Sequence, residues 1–239
     1  MEWPEGGAIL VRILMVLTSY DRVVDGGPKT GFWLETFTAA YYAFADAGAD
    51  IALASPSGGQ PPIDPNSDRP GNQPETVKRF KGDQTARAAL ADTLWLDQVV
   101  CDDFDAVFYA GGHGPMWDLA EDRVSQSLIA AMWAAGRPIA LVGHGPAALC
   151  RVVDAAGRPL VEGRRVTAAA NSEEQATGLA PFLPFLLQDE LVRLGALYSR
   201  GPDWASYVVC DGVLVTGQNA NASADTAKTL LDILHQRRS

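Results

Sequence analysis

The sequence predicts an α/β fold built on a parallel sheet, and three observations carry that expectation. Short apolar runs such as ILMVL from Ile13, FDAVFYA from Phe104 and PIALV from Pro138 alternate with longer segments of helical period. The runs are nearly unbroken, as expected of strands whose two faces are both covered by helices. With 239 residues, 47% of them hydrophobic and 20% charged, the chain is long enough to bury a core and too apolar to remain disordered.

Element by element, Val11 to Leu17 reads as the first strand. The opening MEWPEGGAILVRILMVLTSY puts acids ahead of its apolar stretch, whereas a signal peptide has basic residues first, so the stretch is expected to be core strand. A loop through Asp25, Gly26, Gly27 and Pro28 leads to a helix over Thr30 to Ala47 and a strand over Asp50 to Ser55. The stretch from Pro56 to about 75, crowded with Pro, Gly, Asp and Asn, is expected to be an ordered surface excursion. Two weak helices follow, then a strand over Phe104 to Ala110, a helix over Asp122 to Ala135 and a strand over Pro138 to Val142. The remainder predicts a strand from Arg165 to Ala169, a helix from Pro181 to Leu194, a hairpin from Val208 to Gly217 across Asp211-Gly212, and a closing helix capped by Ser223. No repeat or low-complexity linker divides the chain, so residues 1–239 are read as a single domain.

Nineteen basic against twenty-nine acidic residues give a net charge of −10, which argues against nucleic acid or an anionic membrane as partner, since both require a basic patch. No apolar run has the length of a membrane span. Cys101, Cys150 and Cys210 are scattered and odd in number, which fits a reducing cytoplasm better than a disulfide framework or a zinc site. No metal-ligand triad, Walker loop or dinucleotide fingerprint is present, so neither metal nor cofactor is expected.

Two glycine-flanked histidines follow separate strands, at Gly111-Gly112-His113-Gly114 and Gly143-His144-Gly145-Pro146. In open parallel sheets ligands bind at the carboxyl ends of strands, and glycines there leave backbone N–H groups free to face an oxyanion. Either turn alone could be a plain strand-to-helix connection, but two of them point to a small-molecule site. Trp204 is a candidate for the pocket mouth, whereas Trp33 and Trp117 read as core.

The stretch strand-GHGPAAL-helix resembles the nucleophile elbow of the PfpI/ThiJ superfamily, and its glyoxalase III-like, heat-shock-chaperone-like branch in particular. LTSYDRV, GPKTGFWLE, LASPSGGQPPIDPNSD, FYAGGHGPMWDL, NSEEQ, YSRGPDW and DGVLVTGQN match in order over residues 17 to 219. The resemblance implies a flavodoxin-like, doubly wound sheet with helices on both faces, and a family in which dimers are frequent. It implies that Glu35 is the pocket glutamate that would face a thiol, that His144 and Glu174 are the histidine and its acidic partner, and that the amides of Gly112 and His144 form the oxyanion hole. Gly143, Ala169, His113, Trp204 and Asn171 would line the substrate space.

Two departures matter. The branch carries its nucleophilic cysteine where this chain has Gly143, and a glycine cannot attack a carbonyl. Ala169, in Thr167-Ala168-Ala169-Ala170-Asn171, stands where relatives carry phenylalanine, which widens the pocket. The polar groups persist while the walls shrink. The expectation is an enzyme without thiol chemistry, in which Glu35 moves a proton on a carbonyl compound larger than methylglyoxal in a hydration, dehydration, isomerisation or cyclisation. A non-catalytic chaperone or ligand-binding protein, and a deliberately silenced glyoxalase III-like enzyme, are the alternatives.

Overall fold

The computed structural model describes residues 11–23 and 27–237; the residues read as the acidic opening and the Asp25-Gly26 part of the first loop lie outside that range. The first half of the chain forms β1 (Arg12–Val16), α1 (Leu34–Asp46), β2 (Asp50–Ser55), α2 (Glu75–Gly82), α3 (Gln84–Ala91), β3 (Leu94–Trp95), β4 (Ala106–Tyr109), α4 (Arg123–Ala134) and β5 (Ile139–Val142). The second half adds β6 (Arg165–Val166), α5 (Asn171–Thr177), α6 (Leu187–Arg193), β7 (Leu197–Tyr198), β8 (Val208–Asp211), β9 (Leu214–Gly217) and α7 (Ser223–Gln236).

Seven strands make one sheet in the order β3-β2-β1-β4-β5-β9-β8, parallel throughout except for β8, which runs antiparallel to β9. This is the flavodoxin-like α/β architecture. Successive side chains of a strand point to opposite faces, so β1 feeds two cores at once. Ile13 and Met15 pack with Phe37 of α1 and Leu230 of α7, while Leu14 and Val16 pack with Leu128 and Met132 of α4. The chain grows outward from β1 to β3, then returns to the other side with β4. That reversal sets the switch point of the sheet between β1 and β4, and doubly wound sheets bind ligands at the carboxyl ends of the strands in this region. Both glycine-histidine turns lie at this edge.

Four expected elements differ from the structure. The first helix begins at Leu34, not Thr30, because the preceding backbone is committed elsewhere: Thr30 N–H bonds Asp21 O, Phe32 N–H bonds Pro62 O and Trp33 N–H bonds Gly111 O. The strand expected from Arg165 to Ala169 is only β6, paired with β7 in a separate two-stranded sheet. The long helix expected from Pro181 breaks into a 3-10 turn at Ala180–Phe182 and α6, since Pro184 has no N–H and cannot continue a helix. Ser223 lies inside α7 and its hydroxyl donates to Ala220 O, so it does not cap the helix. The excursion after β2 is also less superficial than expected. Asp64 and Ser67 are buried, and Asp64 accepts from the Thr30 hydroxyl at 3.0 Å, which pins the excursion to the segment leading into α1.

Candidate active site

A cavity of about 340 Å³ opens at the carboxyl ends of β4 and β5. Glu35, Gly112, His113, Gly143, His144, Ala169, Glu174 and Trp204, all singled out in the sequence, line it together. Asn171 does not: at the start of α5 its side-chain amide donates to Asp189 at 2.7 Å. That outward hydrogen bond corrects its expected place in the pocket. Trp33, expected in the core, is half-buried and lines the cavity, whereas Trp117 stacks on Tyr20 with ring centroids 5.3 Å apart.

Local chemistry fixes the turns. Gly112 has φ +124°, and a Cβ there would lie 2.4 Å from both Gly31 O and Trp33 N, so only glycine fits. The Thr36 hydroxyl donates to Gly111 O at 3.0 Å, and Trp33 N–H donates to the same carbonyl at 2.8 Å. The first turn of α1 is thereby stitched to the turn after β4, which brings Glu35 to the cavity. Gly143 is in the left-handed region at φ +63°, yet its Cβ would meet nothing nearer than Gly111 Cα at 3.8 Å. Residue 143 therefore faces open space. Among the described residues, neither the Gly112 nor the His144 N–H finds a hydrogen-bond acceptor, so both amides remain available at the cavity wall.

Below these amides His113, His144 and Glu174 form a buried triad. Glu174 accepts from His144 Nε2 through one oxygen and, at 3.2 Å, from His113 Nε2 through the other. The two imidazole rings sit 4.3 Å apart, tilted by 38°. Burial by itself raises the Glu174 pKa, but the facing imidazoles, His144 foremost, outweigh it and hold the carboxyl well below the usual carboxylate range. Burial and the neighbouring His144 ring push His113 down, toward its neutral form. An ionised carboxylate only accepts, so both rings turn Nε2–H toward it. One ligand atom from each of the three residues lies within 4.8 Å of the others, the spacing of a metal-ligand set. The carboxylate oxygens are already engaged by the ring N–H groups, so this triangle is closed by hydrogen bonds.

Glu35 contrasts with that network. It is half-buried, and among the described residues no hydrogen bond or ion pair holds its carboxylate. Burial raises its pKa.

The family model for the DJ-1/PfpI family matches residues 31–233, most of the chain. The chain belongs to the DJ-1/PfpI family. It is 30% identical to a glutathione-independent glyoxalase of Saccharomyces cerevisiae, over 93% of this chain and 98% of the relative. Among solved structures, the rapid encystment protein of Francisella tularensis aligns with a TM-score of 0.90 and 35% identity, over 94% of this chain and 99% of that one. Glyoxalase III of Candida albicans aligns with a TM-score of 0.86 and 25% identity, over 93% of this chain and 97% of that one.

Within this family member, sequence reasoning missed Glu173. Its carboxylate is buried and accepts from four donors: Ala170 N at 3.1 Å, Trp204 N at 2.8 Å, Gln218 Nε2 at 3.0 Å and Asn219 Nδ2 at 2.8 Å. It ties α5, the loop bearing Trp204 and the segment after β9 into one cavity wall. The signal for the local part was present, since a glutamate at the third position of a helix reaches back to the N-cap amide; its tertiary donors left none. Trp204 is the only non-glycine residue with positive φ among those described, at +64°. Cys150 offers no substitute thiol: it is buried in the turn after β5, and burial, aided by Glu190, pushes its pKa up to about 12. No helix among the described residues is long and apolar enough to cross a membrane.

Proposed function

We propose that this member of a glyoxalase-containing family is an enzyme that performs acid–base chemistry on a carbonyl-bearing small molecule without a covalent thiol step. The observation that carries this reading is the unpaired, half-buried Glu35 carboxylate in the same cavity as two unengaged backbone amides. Partial burial raises the Glu35 pKa, so a larger fraction is protonated near neutrality and the group can both take and return a proton. The carbonyl oxygen would accept from the Gly112 and His144 amides, which stabilise the negative charge that develops as Glu35 removes a proton from the adjacent carbon or from an attacking water. Return of that proton from Glu35 to carbon or oxygen completes an isomerisation, a hydration or, in reverse, a dehydration. Ring closure uses the same transfer with an internal hydroxyl as the nucleophile. The Glu174 carboxylate fixes the orientation of the His144 ring beneath the site.

Size supports a substrate beyond methylglyoxal. At about 30 Å³ per water, the cavity holds roughly eleven water-sized groups, about twice what a five-atom dicarbonyl needs. The absence of a side chain at Gly143 and the small one at Ala169 both contribute to that space. We further infer a reducing compartment, the setting that suits three free cysteines.

The test compares wild type with Glu35→Gln in a metabolite extract from the source organism, read by mass spectrometry, with glyoxal and methylglyoxal as added controls. A compound consumed by wild type and spared by the variant supports the reading and names the substrate. Equal consumption of a compound by both proteins overturns the role of Glu35, and consumption of none by either overturns the reading and leaves a binding or chaperone protein.

A further inference from the structure

The charge inventory of the cavity singles out a class of ligand. Among the described residues that line it there are three glutamates and no lysine or arginine. Two of the glutamates are already satisfied, Glu174 by the two imidazoles and Glu173 by four N–H donors. Glu35 is not. An anionic ligand entering here would meet that carboxylate with no counter-charge to offset the loss of its own hydration, a costly arrangement. A neutral ligand would leave Glu35 without a partner.

Aromatic residues complete the picture. Trp33, one residue before the start of α1, and Trp204, at the rim, both line the cavity. Trp204 remains 49% exposed, so its indole is available to a ligand. Its backbone is held at φ +64° by a hydrogen bond at each side of the residue: its N–H donates to Glu173 at 2.8 Å, and its carbonyl accepts from Asn221 at 2.6 Å. A carboxylate combined with indole rings is the chemistry that recognises organic cations, through ion pairing and the negative faces of the rings. The net charge of −10 adds long-range attraction of the same sign.

We propose that the ligand of this cavity carries a positive charge, so that the substrate class is a carbonyl compound bearing an ammonium group. The inference rests on the functional reading above for the carbonyl, but the positive charge follows from the cavity alone. The ammonium group pairs with Glu35 and lies against the indole of Trp204, while the carbonyl oxygen reaches the amides of Gly112 and His144. Ion pairing keeps Glu35 in its ionised form when the ligand arrives.

Binding tests this without knowledge of the substrate. Choline is the probe, compared with its neutral isostere, in which a tert-butyl group replaces the trimethylammonium, and with the carboxylate of similar size, 3,3-dimethylbutyrate. Each is titrated calorimetrically into wild type, Glu35→Gln and Trp204→Leu. Wild type is expected to bind choline at least about tenfold more tightly than the isostere, and the carboxylate most weakly. Glu35→Gln should reduce that preference to about threefold or less, and Trp204→Leu should weaken choline more than the isostere. Equal affinity for choline and the isostere, tighter binding of the carboxylate, no measurable choline binding, or a preference that survives Glu35→Gln would each overturn the proposal. Because no turnover is read, charge selectivity can stand while the catalytic role of Glu35 fails, and the converse.

Discussion

Gly143→Cys, with Gly143→Ala as its thiol-free control, tests the geometry at the centre of the site. An ideal Cβ at position 143 meets no atom nearer than 3.8 Å, so the Cβ of neither variant clashes. What they incur is the left-handed backbone at φ +63°, which costs a residue with a side chain about 1–2 kcal/mol. For a chain of this length, 1 kcal/mol shifts Tm by about 2–4 °C, so both variants should melt roughly 2–8 °C below wild type while remaining folded. Gly112→Ala supplies the contrast. Its Cβ would lie 2.4 Å from two backbone atoms, and no side chain can move aside to relieve that overlap. It should lose several times as much stability or fail to fold. Thermal denaturation followed by circular dichroism ranks the three. An unchanged Tm in Gly143→Ala would refute the left-handed turn, and a loss as large as that of Gly112→Ala would refute the open space beside it. Glyoxal turnover by Gly143→Cys adds a functional readout: the proposed function expects little gain, whereas full recovery would identify a silenced glyoxalase III-like enzyme.

Glu174→Gln should destabilise the protein by about 2–4 kcal/mol at neutral pH, because it removes a buried anion that accepts from two imidazoles. The folded-state pKa of Glu174 lies below its ordinary value of 4.5, so its contribution is present above that pH and is lost as pH falls. Chemical denaturation across a pH series should therefore show the gap between wild type and variant narrowing below about pH 4.5; a gap that widens there contradicts the assignment. Alkylation of the native protein by iodoacetamide near pH 8 should label the partly exposed Cys101 and Cys210 well before Cys150, whose buried thiol is pushed up to about 12. Peptide mapping that finds Cys150 modified first would mean that it sits in a different environment. Trp204→Gly relieves a positive φ at a half-exposed side chain, so its Tm should stay within about 2 °C of wild type or rise. A large fall in Tm would instead make Trp204 a packing residue.

The sequence was most legible where hydrophobic pattern and steric necessity act locally. The apolar runs placed β1, β4 and β5, because a strand buried on both faces has little alternative to continuous Val, Ile, Leu and Phe. The glycine-histidine turns placed two cavity-lining segments in the same way, since only glycine accommodates the approach of Trp33 to Gly112. The lack of a nucleophile at 143 and the small side chain at 169 were equally plain.

Other features depended on partners distant in the chain. The start of α1 moved to Leu34 because carbonyls of Asp21, Pro62 and Gly111 claimed the amides before it. Propensity cannot register such bonds. Asn171 turned from the cavity to Asp189, and Trp33 turned toward it, although both lie beside residues that line the site. Glu173 gathers donors from Trp204, Gln218 and Asn219, up to 46 positions away. The single carboxylates of Glu35 and Glu174 look alike in the sequence. Only the tertiary structure gives one of them two imidazoles and leaves the other alone in the cavity, because the ionic state of a carboxyl is decided by its burial and by the groups folding brings against it.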